Sequence, residues 1–265
     1  NNTLLGSTAG DSFSGTDAIN NTLIGYAAGT ALTTGDSTVA VGSTACQSLT
    51  TGNYNVGIGQ NALRDTTTGS NNTAVGINAA LDVNGSNNIA IGANTIRGSN
   101  STGNNNVAVG TSALNDNTSA SANTAIGNQA LSSNTTGGPN EALGASALAG
   151  NTTGGGNVGL GYLSLTANTT ASFNTAVGYK ALNANTTGTR NVAVGSYALE
   201  TNTTGNDNLA IGYEALELNT TGEQNIAVGN YALDANTIGG YNTGIGLHAL
   251  GANTEGNSNV SIGWK

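Results

Sequence analysis

Sixteen glycines set the rhythm of this 265-residue chain. Gly6, Gly25, Gly42, Gly59, Gly76, Gly92, Gly110, Gly127, Gly144, Gly161, Gly178, Gly195, Gly212, Gly229, Gly246 and Gly263 each close a short Asn-Thr-Ala-Val-Gly-like segment. The interval is 17 residues everywhere from Gly110 onward, and 19, 17, 17, 17, 16 and 18 before it. A fixed period of this length marks a repeat architecture, in which each unit packs only on its neighbours. The sequence therefore reads as one repeat domain over 1–265, with less regular coils over 1–109 and strict coils over 110–265.

Alignment on the anchor glycine assigns a character to each column. The residue four before it is Asn in fifteen of sixteen copies, Thr38 being the exception, and the residue just before it is always Val, Ile or Leu. Between them stand a mostly β-branched residue and then a small one, as in Asn191-Val192-Ala193-Val194-Gly195. This alternation predicts a short strand with an aliphatic face and a small-residue face. Three after the anchor comes Ala in thirteen of fifteen copies and four after comes Leu in ten, which predicts a second short strand; a polar Asn-Thr-Thr-Gly corner such as Asn185–Gly188 follows. Seventeen residues hold two short strands and two turns but not a helix as well, and no 3.6-residue period is present. The expected fold is an all-β parallel β-solenoid of about 16 coils. With coils about 4.8 Å apart it makes a rod on the order of 70 Å long, in which the asparagines stack as a ladder.

Composition narrows the function. Fourteen acidic against five basic residues give a net charge of −9, which repels nucleic acid and anionic membranes. Cys46 is the only cysteine and has no internal partner. No apolar run reaches the roughly 18 residues of a membrane span, and Asn1–Gly10 lacks the pattern of a signal peptide. Asn1 and Lys265 fall at nearly the same phase of the repeat, so the expectation is a piece of a longer fibre or a subunit that stacks end to end.

The segments Asn191–Gly195 and Asn225–Gly229, each followed by Ala and Leu, resemble the head repeats of trimeric autotransporter adhesins. Asn174–Leu182 is more similar still to the Asn-Thr-Ala-Val-Gly-Tyr-x-Ala-Leu arrays of phage and bacterial tail-fibre-like proteins. The resemblance covers the whole chain and implies a left-handed parallel β-roll assembled as a homotrimer. The adhesin repeat is shorter and places its asparagine one position earlier.

The small column of the strand, Ala74, Ala108, Ala125, Ala176, Ala193, Ala210 and Ala227, is expected to face away from the aliphatic column and to form a flat apolar strip for packing against sister chains. Motifs that suggest chemistry have simpler explanations in the repeat. Gly57–Ala62 and Gly244–Ala249 match the dinucleotide fingerprint G-x-G-x-x-A, but that motif needs a following helix, so no cofactor is expected. His248, the only histidine, falls in an exposed column with no catalytic partners, and Cys46 falls in the leucine column, where a buried inert thiol is expected. Glu200, Glu217 and Asp234 share the column five after the anchor; a solvated acidic stripe is the plain reading and a bridging cation the sharper one. Glu141, which takes the place of the usual β-branched residue after Pro139, is expected in a semi-exposed position. The corner Asn-Thr pairs, several of them N-x-T sequons such as Asn185-Thr186-Thr187, could present a polar ladder to ice or glycans. The sequence thus predicts a non-enzymatic structural or adhesive rod, extracellular or on a virion. Its partners would be copies of itself, as trimer or filament, with a host glycan or receptor as a further possibility.

Overall fold

The computed structural model describes residues 1–13 and 18–264; Lys265, used above to set the phase of the last coil, lies outside them. The chain divides into two compact units, Asn1–Thr136 and Gly137–Lys265, so the division falls inside the strictly repeating part of the sequence. Each unit is a parallel β-solenoid with one three-residue strand per coil. Among the described residues the first carries eight strands, from β1 (Thr3–Leu5) to β8 (Thr124–Ile126), and the second eight, from β9 (Glu141–Leu143) to β16 (Val260–Ile262). No helix occurs among the described residues.

The strands stack in phase. Thr175, Ala176 and Val177 pair with Val192, Ala193 and Val194, and those with Leu209, Ala210 and Ile211, so each sequence column becomes a physical column. The bonds run both ways along the axis: Gly195 N–H donates to the Val177 carbonyl and Val192 N–H to that of Asn208, each at 2.8 Å. The anchor has to be glycine. Gly178 has φ +137°, and a Cβ on it would lie 2.5 Å from the Gly195 carbonyl oxygen in the next coil.

Two expectations are corrected. The seven alanines Ala74, Ala108, Ala125, Ala176, Ala193, Ala210 and Ala227 are wholly buried. They point into the coil, and the flanking aliphatic residues point out. The interior is too narrow for anything larger there, because Leu four after the anchor already fills it. Where Gly replaces Ala in the strand, a Cβ would sit 3.3 Å from Leu148 at Gly159 and 3.3 Å from Leu233 at Gly244. In the N-terminal coils the sizes are exchanged. Leu23 occupies the strand position, Gly10 and Gly29 stand where leucine would, and a Cβ on Gly29 would meet Leu23 Cδ1 at 2.8 Å.

The second correction concerns the Ala-Leu segment, which is a run of turns and not a strand. Ala198 and Leu199 are both buried, and two consecutive residues of a strand cannot point to the same side. The chain solves this by alternating right- and left-handed residues: Tyr197 has φ +62° and Leu199 φ +52°, with the same pattern in nearly every coil. Their amides point alternately down and up the axis, Tyr197 N–H to Tyr179 O at 2.9 Å and Leu199 N–H to Ala215 O at 3.0 Å. These bonds offset the cost of the left-handed conformation, of order 1–2 kcal/mol per residue.

Two asparagine ladders run through the second unit. Asn191 Oδ1 accepts from the Asn208 backbone amide at 3.0 Å and from Asn208 Nδ2 at 3.2 Å, while its own Nδ2 donates to the Gly205 carbonyl at 2.8 Å. The corner asparagines form the other ladder: Asn202 Nδ2 donates to Asn185 Oδ1 at 2.9 Å and to the same Gly205 carbonyl at 3.1 Å. One carbonyl, here that of Gly205 and in the coil of Asn157 and Asn168 that of Ala171, therefore ties both ladders together. Buried amides cost several kcal/mol unless bonded, and here the repeat supplies a partner at every step.

Candidate functional site: the outer faces of the coil

With the interior given to Ala, Leu and Asn, function falls to three outward surfaces. The first is the strand face. Of its two columns, one is always Val, Ile or Leu and the other mostly β-branched. In the first unit Ile58, Ile89, Ile91 and Ile126 are 37–41% exposed, and Val194, Ile211, Ile226 and Ile245 of the second unit are 36–39% exposed. Such contiguous apolar surface is unusual on a monomer and commonly marks an interface. Glu141 stands on this face of the second unit with its side chain in solvent, which explains how a carboxylate replaces a β-branched residue there.

The corner is the second surface, and it is not the ladder expected for ice or glycan binding. Asn151, Asn168, Asn185, Asn202, Asn219 and Asn236 are fully buried, so the sequon amides face the interior. Of the threonines, Thr186 spends its hydroxyl on the Thr203 carbonyl at 3.0 Å and Thr203 its hydroxyl on that of Thr220 at 3.0 Å. Thr187, Thr204 and Thr221 are exposed.

The third surface went unnoticed in the sequence: an aromatic ladder along the second unit. Tyr162 and Tyr179 stack with ring centroids 5.7 Å apart. Tyr179, Tyr197, Tyr213 and Tyr231 follow edge to face at 5.2, 6.0 and 5.5 Å, and His248 closes the row, stacked on Tyr231 at 4.8 Å. His248 is therefore the last member of a ring series and half-buried, where the sequence suggested an exposed lone histidine. The rings stand one position after the anchor at Tyr162, Tyr179 and Tyr213 and two after it at Tyr197, Tyr231 and His248, so column alignment separates what the left-handed residue at the second position brings together. The Tyr-x-Ala-Leu recurrence was the available signal.

Carboxylates flank the ladder. Lys180 Nζ lies 3.2 Å from Glu200 Oε1 and 5.8 and 5.6 Å from the ring centres of Tyr179 and Tyr197. The hydrogen bond to Glu200 and that carboxylate's charge hold the Lys180 ammonium above its usual range. Glu217 is pushed up by partial burial and then by the charges of Glu214, Glu200 and Asp234. Tyr213, hydrogen-bonded to Glu214, is pushed up to about 12. Asp234 Oδ1 is enclosed and has no hydrogen-bond partner. The expected column of Glu200, Glu217 and Asp234 thus gains Glu214 as a neighbour, yet among the described residues no three acidic, histidine or cysteine side chains converge as a metal ion would need.

Cys46 is wholly buried in the leucine column of the first unit, and burial pushes its thiol up to about 12. Its sulfur takes the room left by Gly57, where a Cβ would lie 2.7 Å from Sγ. The glycine-rich motifs at Gly57 and Gly244 lead into turns, so the helix that a dinucleotide fingerprint requires does not form. No protein-family model matches the chain, and no curated protein matches it.

Proposed function

We propose that this chain is a rod segment of an extracellular or virion-surface fibre, structural or adhesive rather than catalytic, and that it self-associates as a homotrimer through the outward strand face. The observation that carries this reading is the outward strand face, with one column always Val, Ile or Leu and the other mostly β-branched, repeated in phase by every strand pairing within each unit. Equal spacing on sister chains lets identical columns meet in register, and about 25 cal/mol for each Å² removed from water adds up over many coils. Rigidity comes from the asparagine ladders, which fix coil against coil and give the rod its reach.

Light scattering tests the reading. The expected mass is that of three chains, and the double variant Val194→Lys with Ile211→Lys should run at the mass of one chain with an unchanged circular dichroism spectrum. A wild-type monomer at tens of micromolar would refute self-association.

A further inference from the structure

The second unit contains the same four-residue constellation twice, two coils or 34 residues apart. Tyr179, Lys180, Tyr197 and Glu200 form the first copy; Tyr213, Glu214, Tyr231 and Asp234 occupy the equivalent positions of the second. The ring pairs are nearly superposable: 5.2 Å between centroids and 72° between planes in the first, 5.5 Å and 76° in the second. In the first copy the protein's own ammonium fills the space between rings and carboxylate, with Nζ within 6 Å of both ring centres and bonded to Glu200. In the second copy the residue that should bring that ammonium is Glu214. The rings and the column carboxylate are retained, the cation is replaced by a second acid, and no basic side chain is paired with Asp234 or Glu214 among the described ion pairs.

We propose that the Tyr213, Glu214, Tyr231 and Asp234 constellation binds an external alkylammonium group, taking from a ligand the charge that Lys180 supplies internally at the first copy. Ring faces attract cations through their quadrupoles and carboxylates complete the site, the arrangement by which aromatic cages hold organic ammonium ions. Two features of the second copy point to an unmet positive charge. Asp234 Oδ1 is enclosed without a hydrogen-bond partner, and Glu217, between Glu200 and Asp234 in the acidic column, is pushed up by its partial burial and then by the charges of Glu214, Glu200 and Asp234. A divalent metal does not suit the site, because the carboxylates do not converge on a point. An ammonium on an alkyl stem does, since its charge is spread over several contacts and its methylenes lie along the tyrosine rings.

The test is a titration of the whole chain followed by NMR of the tyrosine ring resonances, with n-butylammonium and a tetralysine peptide as probes and n-butanol as the neutral control. Wild type should show one saturable site for the ammonium probes and none for butanol. Preference for the peptide over the simple amine identifies a lysine-bearing protein as the source of the charge, and the reverse identifies a free amine. Glu214→Lys, which copies the first constellation into the second, should abolish binding. Lys180→Glu, which copies the second into the first, should raise the stoichiometry from one site to two. Absence of a saturable shift in wild type, unchanged binding in Glu214→Lys, or a stoichiometry that stays at one in Lys180→Glu overturns the proposal. So does butanol binding as well as butylammonium, which would make the ladder a stacking surface for neutral ligands such as sugars.

Discussion

The exchange of sizes between the strand and the leucine column makes a quantitative prediction. Leu23 is fully buried and fills the space that Gly10 and Gly29 leave open. Leu23→Ala removes three carbons from a close-packed interior, which should cost about 3–5 kcal/mol, a large share of the roughly 5–15 kcal/mol that holds a domain folded. Gly29→Leu by itself should cost about 3 kcal/mol by overpacking, because even its Cβ would stand 2.8 Å from Leu23 Cδ1 and 2.9 Å from Cδ2. The two changes together should cost much less than their sum. Gly29 already has φ +57°, close to the +52° of Leu63 in the same column, so a leucine there adopts a conformation the repeat uses elsewhere. The void beside Gly10 persists, so the double variant should fall about 1 kcal/mol short of wild type, giving a coupling energy of about 5 kcal/mol or more. Urea unfolding of the four proteins, followed by circular dichroism and compared at constant slope, measures this coupling. Costs that add to within about 0.5 kcal/mol would show that the two positions do not share one volume, and the account of the interior would fail.

Three further outcomes follow from the same geometry. Thr38 interrupts the asparagine ladder of the first unit with a hydroxyl that has no partner, so Thr38→Asn should raise stability by about 1 kcal/mol in the same unfolding assay; a loss would mean that the column is not closed by side-chain amides. With its thiol near 12, Cys46 should resist iodoacetamide at pH 8 in the folded protein and react once urea is added, as mass spectrometry would register; labelling of folded protein contradicts its burial. Glu217 has a folded value above its ordinary one, so the folded state binds more protons than the unfolded state between the two values, and this residue's contribution is most favourable below that window and lost as pH rises through it. Glu217→Gln should therefore unfold at higher urea than wild type at pH 7, the difference vanishing below the ordinary glutamate range; a difference that grows on acidification would reverse the sign.

Much of this was legible in the residues. Asn191, Asn208 and Asn225 recur at a fixed distance from the anchor, and a polar side chain held in phase over so many coils needs copies of itself as partners, which is how Asn191 and Asn208 bond. The inside of the strand was not legible, because Ala193 and Val194 are both apolar and alternation alone does not say which face is turned inward. Nor was the aromatic ladder, because Tyr213 and Tyr231 stand in different columns of the alignment and meet only through a left-handed turn at Tyr231.

The sequence by itself determined the period, the parallel stacking and the absence of room for a helix, since these follow from the spacing of glycine and asparagine along the chain. Only the tertiary structure decided which columns are enclosed. In the second unit the cross-section of a 17-residue coil admits one buried leucine per turn beside two amide ladders, and that volume limit sends alanine inward and leaves valine and isoleucine facing the water.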